Sequence, residues 1–173
     1  MMSRPSDTEY ASYYSRYVSL VPEVDILRSL EGQLVEAGRI VATVSSERER
    51  FRYGEGKWSI REVYGHIIDA ERVFGYRAFC FSRGESASLP SFEENAYVVH
   101  SRYDERILRN LHEEFTVLRK ANLAFLRWCS EASWLQQGIV SNNQVSVRAL
   151  AFIMVGHARH HFNVLRDRYG VAW

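Results

Sequence analysis

Apolar residues recur at alternating three- and four-residue spacing through four long stretches of this chain, the period of helices with one buried face. The first stretch covers about 22–45, where Leu27, Leu30, Leu34, Val41 and Val44 mark the buried face and Pro22 suits a first turn. The second opens at Trp58-Ser59-Ile60-Arg61-Glu62. Ser59 with Glu62 three residues later has capping-box spacing, and Ile60, Val63, Ile67, Ala70 and Phe74 carry the stripe to about residue 82. Gly54 and Gly56 suit the short connection between these helices. Residues 83–103 form a longer connection with Gly84, Pro90 and one short helix near 92–100; that length suits a crossover between helices running the same way. The third helix is expected over about 104–130, with Ile107, Leu111, Phe115, Leu118 and Leu126 in the core. Residues 138–144 read as polar loop. Ser146 then caps a fourth helix that ends at Gly170, placed for the left-handed residue after a C-terminus.

No convincing set of strands appears. The expected fold is all-α, a four-helix bundle with one long crossover between helices 2 and 3. Its 173 residues suit one domain, 1–173, with a 1–21 segment packed across the bundle. Composition narrows the function classes. A net charge of +1 without a basic block argues against a nucleic-acid partner. No apolar run is long enough to span a membrane, and the polar, tyrosine-rich 1–17 stretch is no signal segment. Cys80 and Cys129 are isolated within helical patterns, reading as reduced thiols of a cytoplasmic protein.

The chemistry lies on the buried stripes. Along helix four the stripe reads Leu150, Met154, His157, His161, Val164 or Leu165, and Arg168. Two imidazoles one turn apart can reach one ion. Position 158, where helical zinc proteases carry Glu beside the first His, is Ala, which disfavours that class. His66 stands on the flank of helix two's stripe, beside Val63 and Ala70. Three histidines with an open position are the arrangement of a catalytic metal site. The alternative is three core histidines, each hydrogen-bonded to a backbone or carboxylate group. Asp69 and Glu62 lie near the His66 face. Either could orient a ligand imidazole or act as base, against ordinary roles as a partner of Arg72 and a capping-box residue. His160 lies about 100° from His161 and reads as second-shell or surface. Arg77, with Arg72 and Arg83, could receive a substrate carboxylate or form a solvated face. His100 and His112 carry no comparable spacing.

The segments GKWSIREVYGHIIDAERVFGYR (56–77) and SVRALAFIMVGHARHHFNVLRDRYG (146–170) resemble the DinB superfamily, the DinB- and YfiT-like bundle proteins; 9–22 and 89–98 add to the likeness. The resemblance implies up-down-down-up helix order and a divalent metal held by His66, His157 and His161; three imidazoles accept zinc, nickel, iron or copper, with zinc the first expectation and nickel the second. It also implies a small-molecule substrate and homodimers among some members, while the apolar pattern leaves no membrane partner expected. Related families include transferases that join a low-molecular-weight thiol to an electrophile. The expected function is therefore a metal-dependent thiol S-transferase, since a metal holds a coordinated thiol as thiolate. The alternatives are a metal-dependent hydrolase delivering hydroxide and a non-enzymatic stress-related or interaction protein.

Overall fold

The computed structural model describes residues 3–173. Its N-terminal segment contains one short helix, α1 (Ser15–Val18), whose last carbonyls are closed by Arg4: the guanidinium donates to Val21 O at 2.6 Å and Val18 O at 2.7 Å. Four long helices follow: α2 (Ile26–Thr43), α3 (Ile60–Ser82), α5 (Leu108–Leu126) and α7 (Val147–Tyr169). The short helix α4 (Glu94–Ser101) lies in the crossover between α3 and α5, and α6 (Glu131–Leu135) follows α5. The strands β1 (Gln137–Val140) and β2 (Asn143–Ser146) form an antiparallel hairpin before α7.

Local chemistry sets the helix ends. Ser59 accepts from the Glu62 amide while the Glu62 carboxylate accepts from the Ser59 amide at 2.8 Å, so the capping box forms as the spacing predicts. Ser146 accepts from the Ala149 amide, and Gly170 takes the left-handed conformation at φ 64° that closes α7. Three boundaries differ from expectation, the simplest being that α5 ends at Leu126 rather than near 130, where Ser130 instead caps α6. Asp25 rather than a residue near Pro22 caps α2, by accepting from the Arg28 amide at 3.1 Å. The third long helix begins at Leu108 rather than near 104, because the carboxylate of distant Glu49 accepts the Leu108 amide at 2.9 Å. Ile107, expected in the core, is the N-cap and is exposed.

The segment 138–144, expected as polar loop, is the hairpin. Ser141 and Asn142 both have positive φ, 46° and 68°, which suits a two-residue turn matched to strand twist. β1 is also held from the crossover, where the Leu89 amide donates to Ile139 O at 2.9 Å.

The long helices form a square in which α3 packs on α7 and α5, and α2 packs on the same two. Tyr64 at the start of α3 meets His112 at the start of α5, 2.8 Å apart, so these helices run parallel. His66, early in α3, meets His161, late in α7, so that pair is antiparallel. Glu31, early in α2, pairs with Arg127 beyond the end of α5. The order is up-down-down-up, with the crossover between the second and third long helices.

Two apolar clusters fill the bundle. One gathers the N-terminal segment, the hairpin and the Val147–Val155 side of α7; the other gathers the opposite end around Tyr64, Phe115 and Phe162. A buried polar layer separates them. Arg119 has no solvent exposure and donates to both Glu71 oxygens at 2.8 Å, to Gln33 Oε1 at 2.9 Å and to Leu30 O at 3.2 Å. Gln33 Nε2 passes the chain on to Val155 O at 2.9 Å, so one network touches all four long helices. The α2 stripe is centred on Ile26, Leu30, Gln33, Ala37 and Ile40, while Leu27, Leu34, Val41 and Val44 are half-buried. On α7, Leu165 is buried and Arg168 exposed.

The N-terminal segment is bound to α7 by charge and by close approach. Glu9 is buried against Arg148 and accepts from the Ser146 hydroxyl at 2.8 Å. Burial alone would raise its pKa, but Arg148 and the serine hydrogen bonds outweigh it and lower the value to about 2. The α1 backbone passes so near α7 that a Cβ on Gly156 would lie 2.0 Å from the Tyr17 carbonyl oxygen.

Removing one partner of a buried ion pair leaves an uncompensated charge. Arg119→Leu is expected to cost about 3–5 kcal/mol in denaturant unfolding, and adding Glu71→Leu should restore most of the loss. A single variant as stable as the parent would show that the layer does not hold the bundle.

Candidate metal centre

The α3–α7 interface decides the site. His66 lies nearly two turns inside the capped start of α3, and His157 and His161 are about a turn apart on α7. Antiparallel packing brings the rings to centroid separations of 4.9 Å (His66–His157), 4.7 Å (His66–His161) and 4.5 Å (His157–His161). One nitrogen from each ring falls within 4.8 Å of the others. His66 Nε2 and His157 Nε2 are 3.0 Å apart. Tetrahedral metal–nitrogen bonds of about 2.0–2.1 Å place neighbouring ligand nitrogens about 3.3–3.4 Å apart, so this edge needs to open by only about 0.3 Å to take an ion.

Among the described residues, none of the three rings is hydrogen-bonded to a carbonyl or a carboxylate. The polar partner of His66 is the His157 imidazole, and His66 Nδ1 is buried without a hydrogen-bond partner. Two histidines nearer the surface look different: half-buried His112 meets the Tyr64 hydroxyl and exposed His100 meets Ala96 O at 2.7 Å. Burial, with a contribution from His160, lowers the His66 pKa to about 4. Burial also pushes His157 and His161 well below the usual histidine value, reinforced by the neighbouring imidazoles and Arg16. All three are neutral near pH 7, the form that ligates a metal. The donor set fits a divalent ion.

Aromatic side chains enclose the imidazoles. Trp58 lies 4.9 Å from His66 and Phe92 6.5 Å from it, while Tyr17 and Phe74 lie 5.2 Å and 5.7 Å from His157, centroid to centroid. His66 and His157 form part of the wall of a cavity of about 280 Å³, to which the N-terminal segment, the crossover and the hairpin also contribute side chains. Tyr17 and Phe92 were not singled out in the sequence; the polar flanks of both gave no helical stripe to mark them.

The remaining candidates separate. Arg77 is buried on the same cavity wall. Arg72 instead pairs with Glu114 at 2.6 Å. Glu62, considered as an orienting group, is used by the capping box and by Arg52. Asp69, considered as a base, accepts from the Tyr103 hydroxyl at 2.6 Å and is not among the cavity-lining residues. Burial raises the Asp69 pKa. It does not pair with Arg72 either. His160 packs edge-on against Tyr17 and His161 and lies outside the three-nitrogen cluster.

Residues 34–165 match the DinB superfamily over most of the chain. The chain belongs to the DinB superfamily. Solved structures agree on the fold. YfiT from Bacillus subtilis, described as a probable metal-dependent hydrolase with an unusual four-helix bundle topology, superposes with a TM-score of 0.72 at 15% identity, over 99% of this chain and 95% of that one. A mycothiol-dependent maleylpyruvate isomerase matches at 0.67 and 12% identity, over 84% of this chain and 61% of that one. A variant of such an isomerase matches at 0.63 and 15% identity, covering 90% and 63%. This DinB chain thus spans less than two thirds of the isomerase length. No curated protein matches it in sequence. Among the described residues, no helix is long and apolar enough to cross a membrane.

Zinc or nickel added to metal-free protein should bind near one equivalent by elemental mass spectrometry. At one hundred times Kd, binding contributes about 2.7 kcal/mol and raises Tm by several degrees. His157→Ala should lose both the metal and the shift. Equal metal content in variant and parent would remove His157 from the site.

Proposed function

We propose that this DinB protein is a metal-dependent enzyme that joins a low-molecular-weight thiol to a small electrophile at His66, His157 and His161. One observation carries the reading: three neutral imidazoles without a carbonyl or carboxylate partner converge beside a cavity walled by aromatic side chains. These imidazoles would hold a divalent ion, zinc first and nickel second, which when bound would supply Lewis-acid chemistry toward a thiol or a water.

The chain's own residues do the rest. His66 and His157 line the cavity, and His161 adds the third donor from one turn along α7. Tyr17, Phe74 and Phe92 wall the cavity beside the imidazoles, and such apolar walls strengthen polar interactions formed against them. Cys80 and Cys129 are not among the cavity-lining residues, so the reading takes its thiol from a co-substrate. The mycothiol dependence of the structurally similar isomerase supports that choice. Hydrolysis is the second reading, favoured by the description of YfiT as a probable metal-dependent hydrolase.

The two are separated by what is consumed. Metal-loaded protein incubated with bacillithiol, mycothiol or glutathione and an activated electrophile should consume thiol and electrophile one for one. His157→Ala should slow the reaction by more than about 100-fold, beyond the loss typical of outer-shell changes. Turnover of an ester or amide panel with water alone would favour the hydrolase, and absence of both activities would contradict an enzyme.

A further inference from the structure

Three arginines in the bundle are almost completely buried, and two of them are matched by a carboxylate. Arg119 is paired with Glu71 and Arg61 with Glu49. Arg77, only 3% exposed, has no carboxylate within ion-pair distance among the described residues. Its protein hydrogen bond runs from Nη2 to the Pro90 carbonyl at 2.7 Å. The guanidinium carries five N–H donors. Its other nitrogens are not among the buried atoms lacking a partner, and the side chain lines the cavity, so the unused donors open into that space. A guanidinium removed from water without a counter-charge is costly unless something completes it.

Its surroundings point the same way. Phase along α3 puts Arg77 within about 20° of His66, three turns farther on, with about 16 Å between their Cα atoms. The cavity joins the two ends: His66 and His157 at one, Arg77 with Tyr14 and Ser91 at the other, and Phe74 between. The guanidinium carbon lies 5.9 Å from the Phe74 ring centroid. Glu94 also lines the cavity but forms no ion pair with Arg77. Burial lowers the Arg77 pKa, and the Tyr14 and Tyr97 hydroxyls offset part of the effect.

We propose that Arg77 is the anion receptor of the cavity, binding a carboxylate on the molecule whose reactive group sits at the three histidines. The fork geometry of guanidinium suits a carboxylate taken up through two parallel hydrogen bonds. The separation along α3 sets the shape of the ligand, which is extended and carries its carboxylate several bonds from the reacting atom. The inference rests on the metal-dependent thiol reading for what happens at the histidine end, and on Arg77 alone for the carboxylate end.

The test titrates zinc-loaded protein by calorimetry with 6-mercaptohexanoate, 6-mercaptohexanol and hexanoate. The mercaptocarboxylate should bind about tenfold to a hundredfold tighter than the mercaptoalcohol, the range of a charge-assisted hydrogen bond. Arg77→Gln should abolish that preference at unchanged zinc content, and Arg77→Lys should keep part of it. The parent comparison needs no variant, so a poorly folding substitution leaves the test intact. Equal binding of the two thiols by the parent, binding of neither, or a preference that survives Arg77→Gln overturns the inference. Preference for 6-mercaptohexanoate over hexanoate reports the histidine end separately. If it is lost while the carboxylate preference remains, the thiol reading falls and the Arg77 receptor stands.

Discussion

Arg119 reaches into the centre of the bundle from α5 and finds every partner it needs on other helices: the carboxylate of Glu71 on α3, and Gln33 and the Leu30 carbonyl on α2. Gln33 then reaches the Val155 carbonyl on α7. Such a network tolerates no sliding. Moving any of the four helices by one turn would leave a buried charge or amide without a partner, and apolar packing on either side could not offset that. Apolar stripes alone permit several registers; this layer selects one.

That register is what the site needs. His157 follows Val155 by two residues, and His66 lies little more than a turn before Glu71. Fixing Glu71 and Val155 on the same layer therefore fixes where α3 and α7 present their imidazoles to one another. The result is two polar clusters of opposite character at similar depth. On the α2–α5 side each donor is matched by an acceptor. On the α3–α7 side three neutral imidazoles have only each other, enclosed by Trp58, Phe74, Phe92 and Tyr17. Matched polar groups hold the fold, and unmatched ones face the cavity.

Much of this was legible in the chain. The capping box at Ser59 and Glu62, the cap at Ser146, the left-handed Gly170 and the crossover length gave the helix order. The phase of His66, His157 and His161 against their apolar stripes gave the cluster. What stayed hidden depended on partners distant in sequence. Gln33 sits where a stripe of Leu or Val would run, so the apolar residues beside it drew the α2 face about one position off centre. Glu71 and Arg119 look like ordinary charged helix residues until their helices meet. The Leu108 amide is satisfied by Glu49, which no local capping pattern could indicate. The hairpin has two four-residue strands and a Ser-Asn turn, too short and too polar to separate from loop.

The central claim is that His66, His157 and His161 jointly hold one metal ion, and X-ray absorption at the zinc edge of the reconstituted protein addresses it most directly. The account predicts three imidazole nitrogens at about 2.0–2.1 Å, with light-atom scatterers completing the shell. A sulfur scatterer at about 2.3 Å, or a shell with fewer than two imidazoles, would place the metal elsewhere and contradict it.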